Sequence, residues 1–151
     1  MIDRQPIRIL LVEDHPLYRM GIRLSLNYSD LSGVVVAEAG DVKAAKTFLE
    51  QHGEEVDLIL LDYFLPDGNG NDVIPHARTF SPKAKIVLLS GENKNPEVKT
   101  RTQGLVDGYL GKDVEPESLK ATINALFGIE GCVEGKQYRI NAKADLATRA
   151  I

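Results

Sequence analysis

Apolar residues alternate between two textures along this chain. Short, nearly continuous apolar runs recur at Ile7–Val12, Val34–Ala37, Leu58–Leu61, Ile86–Leu89 and, more weakly, Val106–Leu110. Such runs predict strands covered on both faces, as in the interior of a parallel sheet. Stretches with helical spacing lie between them. Leu17, Met20, Gly21, Leu24 and Tyr28 fall at i, i+3, i+4, i+7 and i+11, one apolar helix face. Val42, Ala45 and Leu49 repeat the pattern after Asp41, whose carboxylate suits an N-cap. Leu119, Ile123 and Leu126, with Phe127, do so again, with Pro116 placed for a first turn and Gly128 for a helix end. The stretches after Gly70 and Pro96 are less amphipathic. The second is so polar (Asn95, Glu97, Lys99, Arg101) that it predicts an exposed or mobile helix.

Five strand–helix units in succession predict an α/β fold, a doubly wound parallel sheet with helices on both faces. The smaller common winding, the flavodoxin-like order 2-1-3-4-5, suits five strands. Residues 1–128 hold this pattern and are expected to form one domain. Residues 129–151 lack any long apolar run and read as a tail. In it, Val133–Ile140 suggests a hairpin turning at Glu134-Gly135, and Ala142–Ile151 a short helix.

Composition narrows the function classes. The 151 residues are 43% hydrophobic and 26% charged, which excludes disorder for the bulk. No apolar run approaches the roughly 18 residues of a membrane span, and the N-terminus carries no signal-peptide pattern. The single Cys132 excludes an intrachain disulfide and argues against a cysteine zinc site, so a reducing, cytoplasmic setting is expected. With 18 basic against 22 acidic residues, a net of −4, charge alone would not draw the chain to nucleic acid.

In an open doubly wound sheet, ligands bind beyond the carboxyl ends of the strands. The first strand ends in Glu13-Asp14, the third in Asp62, the fourth in Ser90-Gly91 and the fifth in Gly111-Lys112. Taken singly, these are ordinary residues. A lone acid after a strand is usually a cap, a serine a turn residue, a lysine a surface charge, and Tyr109 a half-buried strand residue. Together they bring three carboxylates, a hydroxyl and an ammonium to one edge. Clustered carboxylates repel unless a cation lies among them, and few oxygen donors in a small pocket suit Mg²⁺. A carboxylate can also act as a nucleophile and form an acyl-phosphate, with metal and lysine offsetting the phosphoryl charge. The constellation predicts phosphoryl transfer onto an aspartate.

The segments ILLVEDHPLYRMGI, DLILLDYFLPDGNG, KIVLLSG and DGYLGKD together resemble the successive signatures of a response-regulator receiver domain. They occur in order from residue 7 to about 128. Their key positions are 48, 28 and 22 residues apart (14 to 62, 62 to 90, 90 to 112). The resemblance implies that Asp62 is the phosphoacceptor. It implies that Glu13, Asp14, Asp62 and the backbone carbonyl of Phe64 hold Mg²⁺. Ser90 and Lys112 would then contact the phosphoryl group, and Tyr109 would reorient on activation. Pro66, Asp67, Gly68 and Gly70 match the loop after the phosphoacceptor. Asp113 stands where many receivers have proline, which leaves a cis peptide there less expected. Phe64 is bulky for its position and would alter phosphoryl lifetime by restricting access.

The same segments resemble the NarL/FixJ type of transcriptional regulator, and GKQYRINAKADLATRAI is similar to a linker before a helix-turn-helix domain. The implied function is a two-component switch. It would be phosphorylated by a histidine kinase or phosphotransfer protein, change its surface around the fourth helix, fifth strand and fifth helix, and control transcription. It would reach DNA only through a C-terminal domain not present in this chain. Phosphorylation could drive a homodimer, and no membrane is involved. The alternatives are a single-domain receiver acting through protein contacts, a degenerate receiver used only for interaction, and an aspartyl-phosphate hydrolase of the haloacid-dehalogenase type. That last family needs a second carboxylate where Phe64 stands.

Overall fold

Consecutive residues of a strand point to opposite faces, and here both faces are apolar. The computed structural model describes residues 6–27, 33–91, 96–113, 115–128, 131–133 and 136–138. Its main strands are β1 (Ile7–Val12), β2 (Gly33–Ala39), β3 (Leu58–Asp62), β4 (Lys85–Ser90) and β5 (Gly108–Gly111). Its helices are α1 (Pro16–Asn27), α2 (Val42–His52), α3 (Gly70–Phe80), α4 (Pro96–Thr102) and α5 (Pro116–Leu126). All neighbouring strands of the sheet are parallel, in the expected order β2-β1-β3-β4-β5.

Leu10, Val12, Ile59, Leu61, Ile86 and Leu88 pack with Val42, Ala45 and Leu49 of α2 and Val73, Ile74 and Ala77 of α3. The alternate residues Ile9, Leu11, Leu58, Leu60, Val87 and Leu89 pack with Ile22 and Leu26 of α1 and Leu119 and Ile123 of α5. This two-sided covering is why β1, β3 and β4 read as unbroken apolar runs, whereas the edge strand β2, read as covered on both faces, leaves Val34 and Val36 exposed on one. Asp41 caps α2 by accepting from the Ala44 N–H at 2.7 Å. Gly128 ends α5 at φ +67°, a backbone conformation that glycine adopts without strain.

Three elements differ from the sequence reading. The apolar face read on α1 is the exposed one: Leu17, Met20 and Leu24 are 80%, 46% and 48% exposed, and Tyr28 lies outside the described residues. The packed stripe is Tyr18, Ile22 and Leu26 at i, i+4 and i+8. Ion pairs accompany that rotation. Arg19 donates to the Glu13 carbonyl at 3.2 Å and lies 3.4 Å from Glu38 of β2, and Arg23 donates to Glu38 at 2.6 Å.

The fifth strand begins at Gly108, not Val106. Asp107 stays in the preceding turn, because its carboxylate takes the Ile86 N–H at 2.8 Å and the Arg78 guanidinium at 3.1 Å. The C-terminal hairpin pairs Gly131–Val133 with Lys136–Tyr138, starting two residues earlier than expected. Its predicted end at Ile140 and the helix read over Ala142–Ile151 lie outside the described residues. The polar fourth helix is short and mostly exposed, anchored by the buried Val98 and Thr102.

Candidate phosphoacceptor site

The chain leaves β1 outward to β2 and returns to β3 on the other side of β1, so the crevice opens beyond the carboxyl ends of β1 and β3. Asp62 is the last residue of β3, buried, and in register with Leu89 of β4. Its Oδ1 accepts the Phe64 N–H at 3.3 Å and its Oδ2 accepts the Lys112 ammonium at 2.8 Å. Lys112 reaches it because the Lys112 N–H bonds the Ser90 carbonyl at 2.7 Å, tying the end of β5 to the end of β4.

Glu13 follows β1 and is held by its N–H on the Ala39 carbonyl at 2.9 Å. Its side chain is fully buried, with Oε1 against the Lys112 ammonium and Oε2 facing His15 Nδ1 at 2.8 Å. Asp14 is partly exposed, and its buried Oδ1 accepts no hydrogen bond. The Ser90 hydroxyl is likewise buried without a partner. Asp14, His15, Asp62, Phe64, Leu65, Pro66, Gly91 and Lys112 line one open cavity of about 420 Å³. A larger cleft of about 890 Å³ lies at the opposite strand ends, around Gly53 and Ser81. Strand-end topology and the clustered carboxylates favour the smaller one as the site.

The electrostatics follow from two carboxylates sharing one ammonium. Burial pushes Asp62 up to about 6, against the pull of Lys112 and with the help of repulsion from Glu13. Burial also opposes ionisation of Glu13, but the Lys112 and His15 hydrogen bonds outweigh it and bring Glu13 down to about 2. Burial works against charge on Lys112 too, and the two carboxylates overcome it and raise its pKa. One donor atom from each of Glu13, Asp14, His15 and Asp62 lies within 4.8 Å of the others, and the three carboxylates among them suit a hard divalent cation.

The loop after Asp62 is built for rigidity. Phe64–Leu65 pairs antiparallel with Gly68–Asn69. Asp67 at the turn accepts the Val42 and Lys43 N–H groups at 2.7 and 3.0 Å, so it caps α2. Asn69 and Asp72 form a reciprocal capping box on α3. The Phe64 ring is 58% exposed and stands at the cavity edge. No peptide bond is cis among the described residues.

Tyr109 is half-buried, as expected, and its hydroxyl shares a hydrogen bond with Thr102 of α4 at 2.8 Å. Lys99 lies over its ring at 5.6 Å. Three residues beside the site escaped the sequence reading: His15, Thr102 and Tyr18. The Tyr18 ring underlies the Lys112 ammonium at 5.1 Å. His15 was visible as the residue following the acidic pair. Tyr18 and Thr102 carry no sequence signal, because only tertiary packing brings them to Lys112 and Tyr109.

The pattern that defines the response regulator receiver domain matches residues 9–124. This chain belongs to the response regulator receiver domain family. It is 36% identical over 130 residues to the nitrate/nitrite response regulator protein NarL of Escherichia coli K12, covering 85% of this chain and 58% of that protein. It is 34% identical to NarP of the same organism, covering 83% and 57%. The chain thus spans less than two thirds of the length of these relatives. Among solved structures, the signal receiver domain of a regulator named NarL from Mycobacterium tuberculosis superposes with a TM-score of 0.71 at 29% identity, covering 83% of this chain and 99% of that one. No helix among the described residues is long and apolar enough to cross a membrane.

Proposed function

We propose that this receiver accepts a phosphoryl group on Asp62 from a phosphohistidine of a kinase or phosphotransfer protein. The observation that carries the reading is Asp62 itself: a buried carboxylate at the end of the central strand, opening on a cavity and flanked by Lys112, Glu13 and Asp14. In the transfer an Asp62 oxygen forms the new O–P bond. The P–N bond breaks, and the departing imidazole keeps its electron pair.

Glu13, Asp14, Asp62 and the Phe64 carbonyl are the residues that would hold Mg²⁺, whose charge offsets that of the carboxylates and the transferred group. Lys112 moves its hydrogen bond from the Asp62 carboxylate to a phosphoryl oxygen. Ser90, whose hydroxyl has no partner, supplies a second donor. Its movement toward the phosphoryl group frees space beside β5 into which Tyr109 turns, at the expense of its hydrogen bond to Thr102. The altered surface comprises α4, β5 and α5.

The domain spans residues 1–128, and residues 129–151 would serve as a linker to a C-terminal effector domain. Through it the protein controls transcription in the cytoplasm, with a homodimer as the phosphorylated form. A hydrolase of the haloacid-dehalogenase type is disfavoured, since Phe64 puts an exposed ring where that chemistry needs a second carboxylate.

Intact mass measurement after incubation with Mg²⁺ and phosphoramidate tests the reading. One phosphoryl group on the wild-type chain and none on Asp62→Asn is the expected result. Equal labelling of both chains would overturn it.

A further inference from the structure

We infer that His15 is a ligand of the divalent cation, and that it tunes this pocket toward cations that accept nitrogen, Mn²⁺ and Co²⁺, beside Mg²⁺. The inference rests on the proposed reading that Glu13, Asp14 and Asp62 hold a cation, and it adds a donor of a different chemical class.

His15 directly follows the acidic pair and precedes Pro16, the first residue of α1. A residue before proline is confined to extended conformations. The His15 N–H is further fixed on Glu13 Oε2 at 3.1 Å. The ring is thereby held at the pocket without packing, its side chain 68% exposed. Nδ1 lies 2.8 Å from Glu13 Oε2 and 3.2 Å from Asp14 Oδ1. With metal bonds of about 2.0–2.1 Å, neighbouring donors of an octahedron are about 2.9–3.0 Å apart and opposed donors about 4.1 Å. The two observed separations straddle the first value. The four-residue donor set spreads over up to 4.8 Å, wider than the second value, so its donors would draw together around a bound ion.

A role as simple counter-charge to Glu13 explains less. Lys112 already supplies an ammonium to Glu13 Oε1. His15 also faces Asp14 Oδ1, a buried oxygen that accepts no hydrogen bond. An ion bound at this point would satisfy that oxygen and take the imidazole nitrogen as well. Carboxylates alone suit Mg²⁺, whereas an added imidazole favours the later divalent ions.

The test uses the full chain at pH 8 with Mn²⁺ alone as probe. Pulsed electron paramagnetic resonance should show ¹⁴N coupling of a directly bound imidazole in the wild type, and the coupling should vanish in His15→Gln. Equilibrium titration should find Mn²⁺ binding about tenfold weaker in His15→Gln, and Mg²⁺ binding changed by less than about threefold. Bound Mn²⁺ without nitrogen coupling, or coupling that persists in His15→Gln, overturns the assignment of His15 and leaves the carboxylate site standing. Failure of the wild type to bind either ion overturns the carboxylate site, and the inference with it.

Discussion

The Lys112 ammonium donates to Asp62 at 2.8 Å and also pairs with the fully buried Glu13, so one cation from β5 serves carboxylates at the ends of β3 and β1. Three strands meet at one nitrogen. This shared contact sets how strongly each acid holds its proton, and it determines what happens when any of the three is altered.

Lys112→Ala should unfold more easily. For a partly exposed lysine whose loss creates no core cavity, the loss would lie within about 1 kcal/mol. The buried pairing raises it to about 1–3 kcal/mol at pH 7, because Glu13 is left without its ammonium. Mg²⁺ should restore much of the loss by supplying charge at the same place. Urea unfolding with and without Mg²⁺ measures both effects. A variant as stable as wild type in metal-free buffer would show the pairing to be energetically idle. The variant should still be phosphorylated on Asp62, slowly, but without the wild-type amide shift at Tyr109 when beryllium fluoride is added.

Mg²⁺ affinity should depend on pH through Asp62. Its pKa rises from 3.8 to about 6 on folding, so between those values the folded chain holds a proton that the unfolded chain has released. That contribution to stability is present below pH 3.8 and is lost as pH rises through 6. Glu13 has the opposite sign. Its pKa falls from 4.5 to about 2, so its contribution is present above pH 4.5 and is lost as pH falls through 2. Cation binding must displace the Asp62 proton. At pH 5, about one unit below that pKa, affinity should be about tenfold lower than at pH 7.5, with one proton released per ion. Calorimetry in buffers of different ionisation enthalpy reads both quantities. Identical affinity at the two values would show that Asp62 is not protonated or not a ligand.

Gly53→Ala should destabilise the domain without touching phosphorylation. An added methyl would stand 2.3 Å from the Phe80 carbonyl oxygen, which is backbone and cannot swing aside. The backbone of Gly53 is otherwise ordinary at φ −57°. Overpacking of this kind costs about 1–3 kcal/mol. Gly21→Ala is the control: nothing lies within 4 Å of its methyl, and in the middle of α1 it should stabilise by about 0.5–1 kcal/mol. Thermal melts of the two variants should move in opposite directions, while labelling by phosphoramidate stays at the wild-type level. Matching melts would mean that the Gly53 contact relaxes freely.

Tyr109→Phe removes one side of the hydrogen bond to Thr102. The expected loss is about 0.5–1.5 kcal/mol. The ring should also leave its resting position more readily, so beryllium fluoride should produce the amide shifts of α4 and β5 at lower concentration than in the wild type. An unchanged titration midpoint would place the resistance to switching elsewhere.

Five strands, their order and the residues at their carboxyl ends were legible in the sequence. The reason is that strands sandwiched between helices must be apolar on both faces, and the topology then sends every strand-end residue to one edge. Glu13, Asp14, Asp62 and Lys112 could therefore be placed together before any distance was known. The rotation of α1 was not legible. Two apolar stripes run along that helix, and only the tertiary packing decides between them: Ile22 and Leu26 turn inward against the sheet and Leu24 outward, an orientation in which Arg19 and Arg23 also reach Glu38. Nor was the start of β5, where the Asp107 carboxylate takes a backbone N–H of β4 and holds its own residue in the turn.

The sequence by itself determined the chemistry present at the site: carboxylates, a hydroxyl and an ammonium after successive strands. Tertiary structure alone decided how they share it. Burial raises both acids, and hydrogen bonds separate them: Lys112 and His15 together bring Glu13 down to about 2, while Asp62, with less compensation, stays at about 6. Tertiary structure also set Tyr18 under Lys112, a contact of which their spacing along the chain carries no trace, and it turned the ring of His15, the residue next to the acidic pair, against both acids.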